Sequence, residues 1–381
     1  MSEFIRRVRR DAKPIASRLP QLDVELTERC NSDCVHCCIN RPANDSAARL
    51  REMDAIAIKD VLRQAADLGC LRVRFTGGEP LLRPDFEDLY LFARRLGLQV
   101  WIFTNGRLMT PRLADLFAHI PPLALIEITV YGMHAESYEA VTRAPGSFAQ
   151  FRRGVDLLLE RGIPFAVKSV LLPQNQGEVE EFEAWAKTIP SMTGPPSYAT
   201  SLELRSRRDE AKNKRIASLR LPPEDKLAMI ARHDPEYRRR TSEFMGKFTG
   251  PRGNLLFGCG AGHNLCVDAY GYVQPCMTLR APEWTLSLAE HSLADALEHF
   301  RGLCGLCAEN PEYLRRCAHC FLKGFCEQCP AKSWVEHGSL DTPVDYICEA
   351  SHAQARYLGW LRGSERAWDV ADWPERCGKQ P

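Results

Sequence analysis

The chain has 381 residues, and its 50 lysine and arginine residues almost balance its 49 aspartate and glutamate residues, which gives a formal net charge of +1. This balance argues against a protein that binds nucleic acid through bulk positive charge. Hydrophobic residues make up 45% and charged residues 26%, which is typical of a soluble globular protein. The length of the chain suggests a large domain and a smaller one. The apolar runs are shorter than the roughly 18 residues of a membrane span, and no apolar signal segment follows the basic N-terminus. We therefore expect a cytoplasmic protein with no membrane partner.

Short aliphatic or β-branched runs alternate with segments of helical periodicity up to about residue 205. This alternation is typical of β/α units around a parallel sheet. Strands are predicted at 22–26, 71–76, 99–104, 124–130, 164–172 and 198–204. Helices are predicted between them at 54–68, 85–96, 147–161 and 178–188, several opening with Asp or Ser in the N-cap position. The predicted fold class is therefore α/β, with six units that suit a partial barrel.

Composition divides the chain into five segments. A basic segment (1–19) precedes the partial barrel (20–205), and a strongly charged stretch (206–255) follows it. We interpret that stretch as a helical bridge with a solvated surface, since charge runs usually face water. A loop-rich domain (256–350) is expected to be held together by metal rather than by a large apolar core, and a tail (351–381) ends the chain.

Sixteen cysteines are too many for an ordinary cytosolic enzyme, and the chain is too long for a small secreted disulfide scaffold. Four lie between Cys30 and Cys38 and ten between Cys259 and Cys348. Reduced thiols that cluster in sequence are metal ligands first. Two cysteine fields therefore predict two metal-binding regions.

The first field follows the first predicted strand with the spacing Cys30-x3-Cys34-x2-Cys37. Three thiolates on one loop can hold three irons of a [4Fe–4S] cluster and leave the fourth iron open to a chelating small molecule. The alternatives are a zinc site or a complete four-cysteine cluster that uses Cys38. Zinc usually needs a second pair or histidines nearby. Since adjacent Cys37 and Cys38 cannot easily face one metal, Cys38 is expected to serve packing.

This spacing resembles the radical S-adenosylmethionine (radical SAM) superfamily, whose barrel carries such a loop after its first strand. A second segment, Thr76-Gly-Gly-Glu-Pro80, resembles the motif whose backbone contacts the amino group of the methionyl moiety, although alone it is more often a plain turn. The resemblance implies that Gly77, Gly78, Glu79 and Pro80 border the bound S-adenosylmethionine. Asn105 and Thr129 resemble family positions near that ligand, and their segments fit a left-handed turn or strand polarity equally well. Lys168, on the fifth predicted strand, is a further candidate to face the carboxylate of the ligand. It also implies the chemistry, in which a reduced cluster cleaves S-adenosylmethionine to a 5′-deoxyadenosyl radical that abstracts hydrogen from a substrate.

The second field resembles the SPASM extension of radical SAM enzymes that modify peptides and proteins. That resemblance implies two auxiliary [4Fe–4S] clusters, one held by Cys259, Cys266, Cys276 and Cys329 and the other by Cys317, Cys320, Cys326 and Cys348. If Cys266 is not a ligand, the first auxiliary cluster has an open iron. Cys304 and Cys307 fit neither set. Paired C-x2-C units also suit zinc, but the five residues between Cys320 and Cys326 are fewer than a zinc ribbon usually has.

The leading interpretation is an enzyme that abstracts hydrogen from a peptide or protein and forms a thioether or carbon–carbon cross-link or an epimerised centre. The alternatives are a maturase that oxidises a Cys or Ser side chain of a partner enzyme, a small-molecule radical enzyme, and a non-catalytic iron–sulfur electron carrier. Only about twenty residues precede the first strand, so we expect a separate leader-peptide recognition protein as partner. An electron donor such as ferredoxin or flavodoxin is also expected. The residues alone select no catalytic side chain, substrate or oligomeric state.

Overall fold

The computed structural model of the chain describes residues 19–39, 41–199, 202–204, 209–231, 236–250, 253–259, 261–326 and 329–378. The basic segment before residue 19 and part of the predicted sixth strand lie outside these residues. The described residues divide into two compact units. The sheet unit contains residues 19–199 and 261–301, and the cysteine unit contains residues 202–259 and 302–378.

A nine-stranded sheet forms the centre of the sheet unit. In chain order its strands are β1 (Gln21–Thr27), β4 (Arg72–Gly77), β5 (Gln99–Thr104), β6 (Leu123–Val130), β7 (Phe165–Val170), β8 (Ser197–Ala199), β9 (Leu265–Val267), β10 (Tyr272–Gln274) and β11 (Leu286–Ser287). Two short strands, β2 (Arg29–Cys30) and β3 (Arg41–Pro42), pair separately. The order across the large sheet is β11-β10-β9-β1-β4-β5-β6-β7-β8, and all pairs from β9 to β8 are parallel. The predicted α/β class with a parallel sheet is therefore confirmed.

Alternation along the strands separates an apolar face from a polar one. Leu22 and Val24 are fully buried, and they pair in register with Val73 and Phe75 of β4. The ring of Phe75 meets the ring of Phe86, on the next helix, edge to face at 6.2 Å between centroids. Helices thus cover the aliphatic face, and its burial is the main source of stability in this unit.

The helices of the sheet unit are α1 (Ser46–Arg51), α2 (Ala55–Asp67), α3 (Phe86–Arg95), α4 (Pro111–His119), α5 (Ala135–Thr142), α6 (Ser147–Glu160), α7 (Val179–Ala186) and α11 (Leu293–Phe300). Predicted N-cap chemistry starts α2, where the Asp54 carboxylate accepts from the Ala57 amide at 2.8 Å. The four predicted helices agree with the structure to within about two residues at each end. The sequence analysis missed the other four helices of this unit, α1, α4, α5 and α11, which are short.

The strands β9 to β11 differ from the sequence-based division of the chain. Residues 261–301 belong to the sheet unit, whereas the composition places them in the cysteine-rich domain from 256 to 350. Three buried residues, Leu265–Val267, form β9 and pair in parallel with β1 at the otherwise open edge of the sheet. A strand of three residues is too short to show an alternation of apolar and polar residues. Its partner β1 lies more than 230 residues away in the chain, so no local pattern indicates the pairing.

The cysteine unit is richer in helices than its composition suggests. It contains α8 (Glu210–Ser218), α9 (Pro223–Ala231), α10 (Tyr237–Gly246), α12 (Pro311–Arg315), α13 (Pro330–His337), α14 (Asp345–Leu358) and α15 (Trp373–Arg376). The predicted C-terminal tail packs into an apolar core, where Leu358 and Leu361 join Phe321 and Leu322. No helix in the described part of the chain is both long and apolar enough to cross a membrane.

Candidate functional site

The first cysteine loop leaves the sheet at the C-terminal end of β1. Parallel strands bring their C-terminal ends to one edge, where ligand sites of β/α folds assemble. The loop is fixed to α5 by two backbone bonds, from the Asp33 amide to the Thr142 carbonyl and from the Val35 amide to the Val141 carbonyl, both 2.9 Å long. Cys34 is buried, while Cys30 and Cys37 are half-buried. The predicted triad therefore lies on an anchored loop at the expected edge of the sheet.

Two side chains after β5 hold the same loop, and sequence reasoning identified only one of them. Asn105 donates from Nδ2 to the side-chain oxygen of Asn31 at 2.8 Å, and the same nitrogen lies 3.7 Å from the Cys30 sulfur. Arg107 donates to the Ser32 hydroxyl at 2.6 Å and to the Asn31 carbonyl, while its Nε donates to Gln150 at 2.9 Å. The available signal for Arg107 was its position two residues after Asn105 in a strand-end turn.

Burial and nearby ionisable groups raise the pKa values of Cys30 and Cys34 in the first cysteine loop. Burial, followed by the carboxylate of Glu79, raises the pKa of Cys30 to about 12. Burial raises the pKa of Cys34 well above its usual range, and the neighbouring thiols of Cys37 and Cys30 add to the effect. Metal coordination requires thiolates, and iron supplies the positive charge that such a buried group lacks. The thiols of Cys30, Cys34 and Cys37 therefore fit an iron–sulfur cluster, whose iron ions stabilise the thiolate form.

The glycines of the predicted ligand motif pack directly against the start of this loop. A Cβ on Gly78 would clash with the carbonyl oxygens of Arg29 and Glu28, at 2.6 Å from the latter. Gly77 has a φ of +118°, which favours glycine, and a Cβ there would clash with the Thr27 carbonyl. The Glu79 amide donates to the Arg29 carbonyl at 2.9 Å. The motif is therefore locked to the backbone just before the first cluster cysteine.

The Glu79 side chain is fully buried and joins two strand ends. Its carboxylate accepts hydrogen bonds from the Leu81 amide at 3.0 Å, the Thr104 hydroxyl at 2.8 Å and the Asn105 amide at 2.8 Å. Burial raises the pKa of Glu79 to about 7 despite these donors. Its side chain thus ties β4 to β5, while Pro80 begins the buried one-turn helix that follows.

Thr129 and Lys168 lie opposite each other on β6 and β7. The Lys168 ammonium forms an ion pair with Glu127 and lies 3.8 Å from the centroid of the Phe103 ring. Both contacts are on the polar face of the sheet. The Lys168 ammonium, predicted to face a ligand carboxylate, is therefore already paired with Glu127. The role predicted for Lys168 stays a prediction.

The cysteine unit contains a cavity of about 310 Å³ that is lined by thiols. The lining cysteines are Cys259, Cys317, Cys320, Cys326, Cys329 and Cys348. Burial, then the thiols of Cys326 and Cys348, raises the pKa of Cys317 to about 12, and burial raises that of Cys320 well above its usual range. All four cysteines of the second predicted auxiliary set therefore converge on one space, and Cys259 and Cys329 of the first set join them.

The other cysteines have different surroundings. Cys266 is fully buried in β9, opposite Asp23 of β1, and the Cys276 sulfur accepts from the Leu279 amide at 3.3 Å. Both belong to the sheet unit, and their predicted role as ligands stays a prediction. Cys304 and Cys307 are exposed and absent from the cavity lining. Among the described residues, no group of three or more His, Cys, Asp or Glu side chains is arranged to hold a single metal ion.

Comparison with known proteins agrees with this geometry. Residues 24–186 match the family model of the Radical SAM superfamily. The AdoMet-dependent heme synthase of Methanosarcina barkeri (strain Fusaro / DSM 804) is 26% identical over 332 residues, which cover 82% of this chain and 92% of that protein. The PqqA peptide cyclase of Xanthomonas axonopodis pv. citri (strain 306) is 28% identical over 366 residues, which cover 88% of this chain and 90% of the relative.

A solved structure is similar in fold over nearly the whole chain. Streptococcus suis SuiB bound to its precursor peptide SuiA has a TM-score of 0.65 at 15% identity, and the match covers 91% of this chain and 79% of SuiB. At that identity the likeness concerns the fold alone.

Proposed function

We propose that this chain, whose residues 24–186 match the family model of the Radical SAM superfamily, is a radical SAM enzyme that modifies a peptide or protein by hydrogen abstraction. The observation that carries the proposal is the junction of the cysteine loop with the glycine motif, in which the backbone before Cys30 contacts Gly78 and Glu79 directly. The junction supports the proposal because three thiols suited to a cluster and a backbone suited to a ligand meet at one edge of the sheet. An electron carrier has no need of the second element.

In this proposal Cys30, Cys34 and Cys37 hold a [4Fe–4S] cluster, and the glycine motif with Asn105 and Thr129 borders S-adenosylmethionine. Together these two groups supply the 5′-deoxyadenosyl radical when they are bound. The protein's own task is to hold the loop rigid and to exclude water, because a misplaced radical would react with the enzyme. Arg107 fixes the loop from the side of β5, and Glu79 keeps the ends of β4 and β5 together.

A peptide substrate is supported by two of the similar proteins. One is named a peptide cyclase, and the other was solved with its precursor peptide. The reactions that we propose are thioether or carbon–carbon cross-linking, or epimerisation, in the maturation of a peptide natural product. A separate leader-recognition protein and a low-potential donor such as ferredoxin or flavodoxin complete the proposed system.

The second cysteine field is proposed to hold two further clusters. The cavity lined by Cys317, Cys320, Cys326 and Cys348 offers the four thiolates that a fully ligated cube needs. Cys259 and Cys329 would contribute to the other cube with Cys266 and Cys276. These assignments follow the SPASM resemblance.

A second candidate function is a radical reaction on a small molecule. The similarity to a heme synthase over 82% of this chain favours it, since that relative is matched along 92% of its length. The two candidates share the cofactors and differ in the substrate.

The test begins with iron and acid-labile sulfide after anaerobic reconstitution, for the wild type and for a triple Cys30/Cys34/Cys37→Ala variant. We expect about twelve irons to fall to about eight, with four per cube, and the variant to lose the formation of 5′-deoxyadenosine from S-adenosylmethionine and dithionite. A matched control is the double variant Cys304→Ser/Cys307→Ser, which should keep both properties.

Mass spectrometry of peptides incubated with the active protein then separates the two candidates. A shift of two hydrogens, or deuterium incorporated from solvent, in a peptide supports the peptide-modifying function. Turnover of porphyrin-type small molecules, with every tested peptide unchanged, would favour the second candidate. Retained 5′-deoxyadenosine formation in the triple variant would overturn both.

A further inference from the structure

Cys348 lies on α14, beside an arginine and a histidine. Arg316 directly precedes Cys317, and its guanidinium pairs with Asp345 of α14, three residues before Cys348, at 3.0 Å. Its positive charge favours the thiolate of Cys348. The Nδ1 atom of His352, one turn along the same helix, lies 3.6 Å from the sulfur and 2.8 Å from the Cys348 carbonyl oxygen. A cluster held by this cysteine would therefore have a hydrogen-bond donor and a positive charge at one corner.

The tautomer of His352 follows from its other nitrogen. Nε2 accepts a hydrogen bond from the Ala367 amide at 3.1 Å, so the ring proton is on Nδ1 and points toward Cys348. The ring is buried, and because Nε2 accepts a hydrogen bond it carries no proton, so the imidazole is neutral. His352 is therefore a neutral donor in a fixed orientation.

Arg316 is held just as firmly. Its guanidinium pairs with Asp345 at 3.0 Å and with Glu312 at 3.2 Å, and it lies 4.9 Å above the ring of Trp368. The same tryptophan meets His352 edge to face at 5.3 Å. Trp368 comes from the segment that composition assigns to a tail, and it supports both side chains beside the cavity that it lines.

We propose that Arg316 and His352 are positioning residues that raise the reduction potential of the second auxiliary cluster through Cys348. This inference rests on the proposed function, because it requires a cluster on Cys317, Cys320, Cys326 and Cys348. A reduced cluster carries one more negative charge than an oxidised one. Hydrogen bonds to its sulfur and a nearby positive charge stabilise that form, and they act strongly where water is excluded. Both residues therefore favour reduction of the cluster that Cys348 would help to hold.

The test uses the full-length triple Cys30/Cys34/Cys37→Ala variant, in which signals come from the auxiliary clusters alone. A redox titration with dithionite, followed by electron paramagnetic resonance, gives one midpoint potential per cluster. Arg316→Gln should make reduction of one cluster at least tenfold less favourable, a shift of about 59 mV to lower potential for one electron. Arg316→Lys, which keeps the charge, and His352→Gln, which removes only a neutral donor, should each give a smaller shift in the same direction.

Arg315→Gln is the matched control, because Arg315 is the neighbouring residue and also pairs with Glu312, at 2.7 Å, but its side chain is 63% exposed. It removes the same charge and should leave both potentials unchanged. Equal shifts for Arg315→Gln and Arg316→Gln, or none in either, with about eight irons still bound, would overturn the inference alone. Fewer irons in the parent triple variant would overturn the proposed cluster itself. Since an Arg316→Gln chain that loses iron would report only on folding, Arg316→Lys then decides the question.

Discussion

Glu79 is a carboxylate that the fold buries at a cost in stability, and replacing it with glutamine should expose that cost. The side chain is fully buried, and burial raises the pKa of Glu79 from an ordinary value of 4.5 to about 7. For an acid whose pKa is higher in the folded state, stability is greatest below the unfolded value and is lost as the pH rises through the folded one. The loss corresponds to about 3 kcal/mol at 1.36 kcal/mol per pKa unit, as an order of magnitude.

Glutamine is close in shape to a protonated glutamate and cannot ionise. Its NH2 group cannot accept the hydrogen bonds that both Glu79 oxygens accept, so at pH 5 the Glu79→Gln variant should be about 1–3 kcal/mol less stable than the wild type. This offset is the reference for the change with pH. At pH 8 the free energy of unfolding of the variant should have gained about 3 kcal/mol relative to the wild type. All other titrating groups are shared by both chains, so their contributions cancel in this difference.

The assay is urea unfolding of the reduced apoprotein at pH 5 and pH 8. Hydrogen exchange read by mass spectrometry on peptides covering Arg72–Gly77 and Gln99–Thr104 reports on the strands that Glu79 joins. Exposed Glu290→Gln serves as control and should show no change of the difference with pH. A Glu79→Gln difference that stays constant within about 0.5 kcal/mol between the two pH values would refute the argument from burial.

Three other substitutions test the two cysteine regions, two at the first cysteine loop and one in the second field. Gly78→Ala should destabilise the sheet unit by about 1–3 kcal/mol and lower iron retention, because backbone oxygens surround the new methyl group; Gly177→Ala, where a Cβ meets nothing within 4 Å, should be near neutral in the same urea titration. Arg107→Gln should speed loss of the first cluster on dilution into chelator, whereas Arg112→Gln, at an ion pair whose arginine is 81% exposed, should leave the rate unchanged. Cys304→Ser should leave the iron content at its wild-type value, and a loss of about four irons would make it a cluster ligand.

The strands that carry ligands were predictable because their signal is local. Gln99–Thr104 has the predicted bounds, and its aliphatic residues face the covering helices. The strand Leu265–Val267 was not predictable, since three residues show no period and its partner β1 lies at the start of the chain. Helices of eight or nine residues such as Ala135–Thr142 are equally weak in periodicity, and the fold forms them through tertiary contacts.

The candidate site shows the same difference between features with a local sequence signal and features without one. Candidate metal ligands can be predicted from cysteine spacing and the family resemblance, and the structure brings Cys317, Cys320, Cys326 and Cys348 to one cavity. Their role as ligands stays a prediction. The side chains that hold ligands in place come from distant segments and have no spacing to detect.

Arg107 illustrates why those side chains escape sequence reasoning. It reaches Ser32 across 75 positions in the chain, and its neighbours in sequence give no sign of that contact. Its identity is nevertheless constrained by chemistry: one flat guanidinium donates to the Asn31 carbonyl, the Ser32 hydroxyl and Gln150 at once, which a lysine ammonium cannot do with the same geometry. Arg316 has the same character in the cysteine unit, where one guanidinium pairs with both Glu312 and Asp345. In both units an arginine from outside the cysteine motif fixes the segment that carries the thiols, so each metal region depends on a contact that only the folded chain creates.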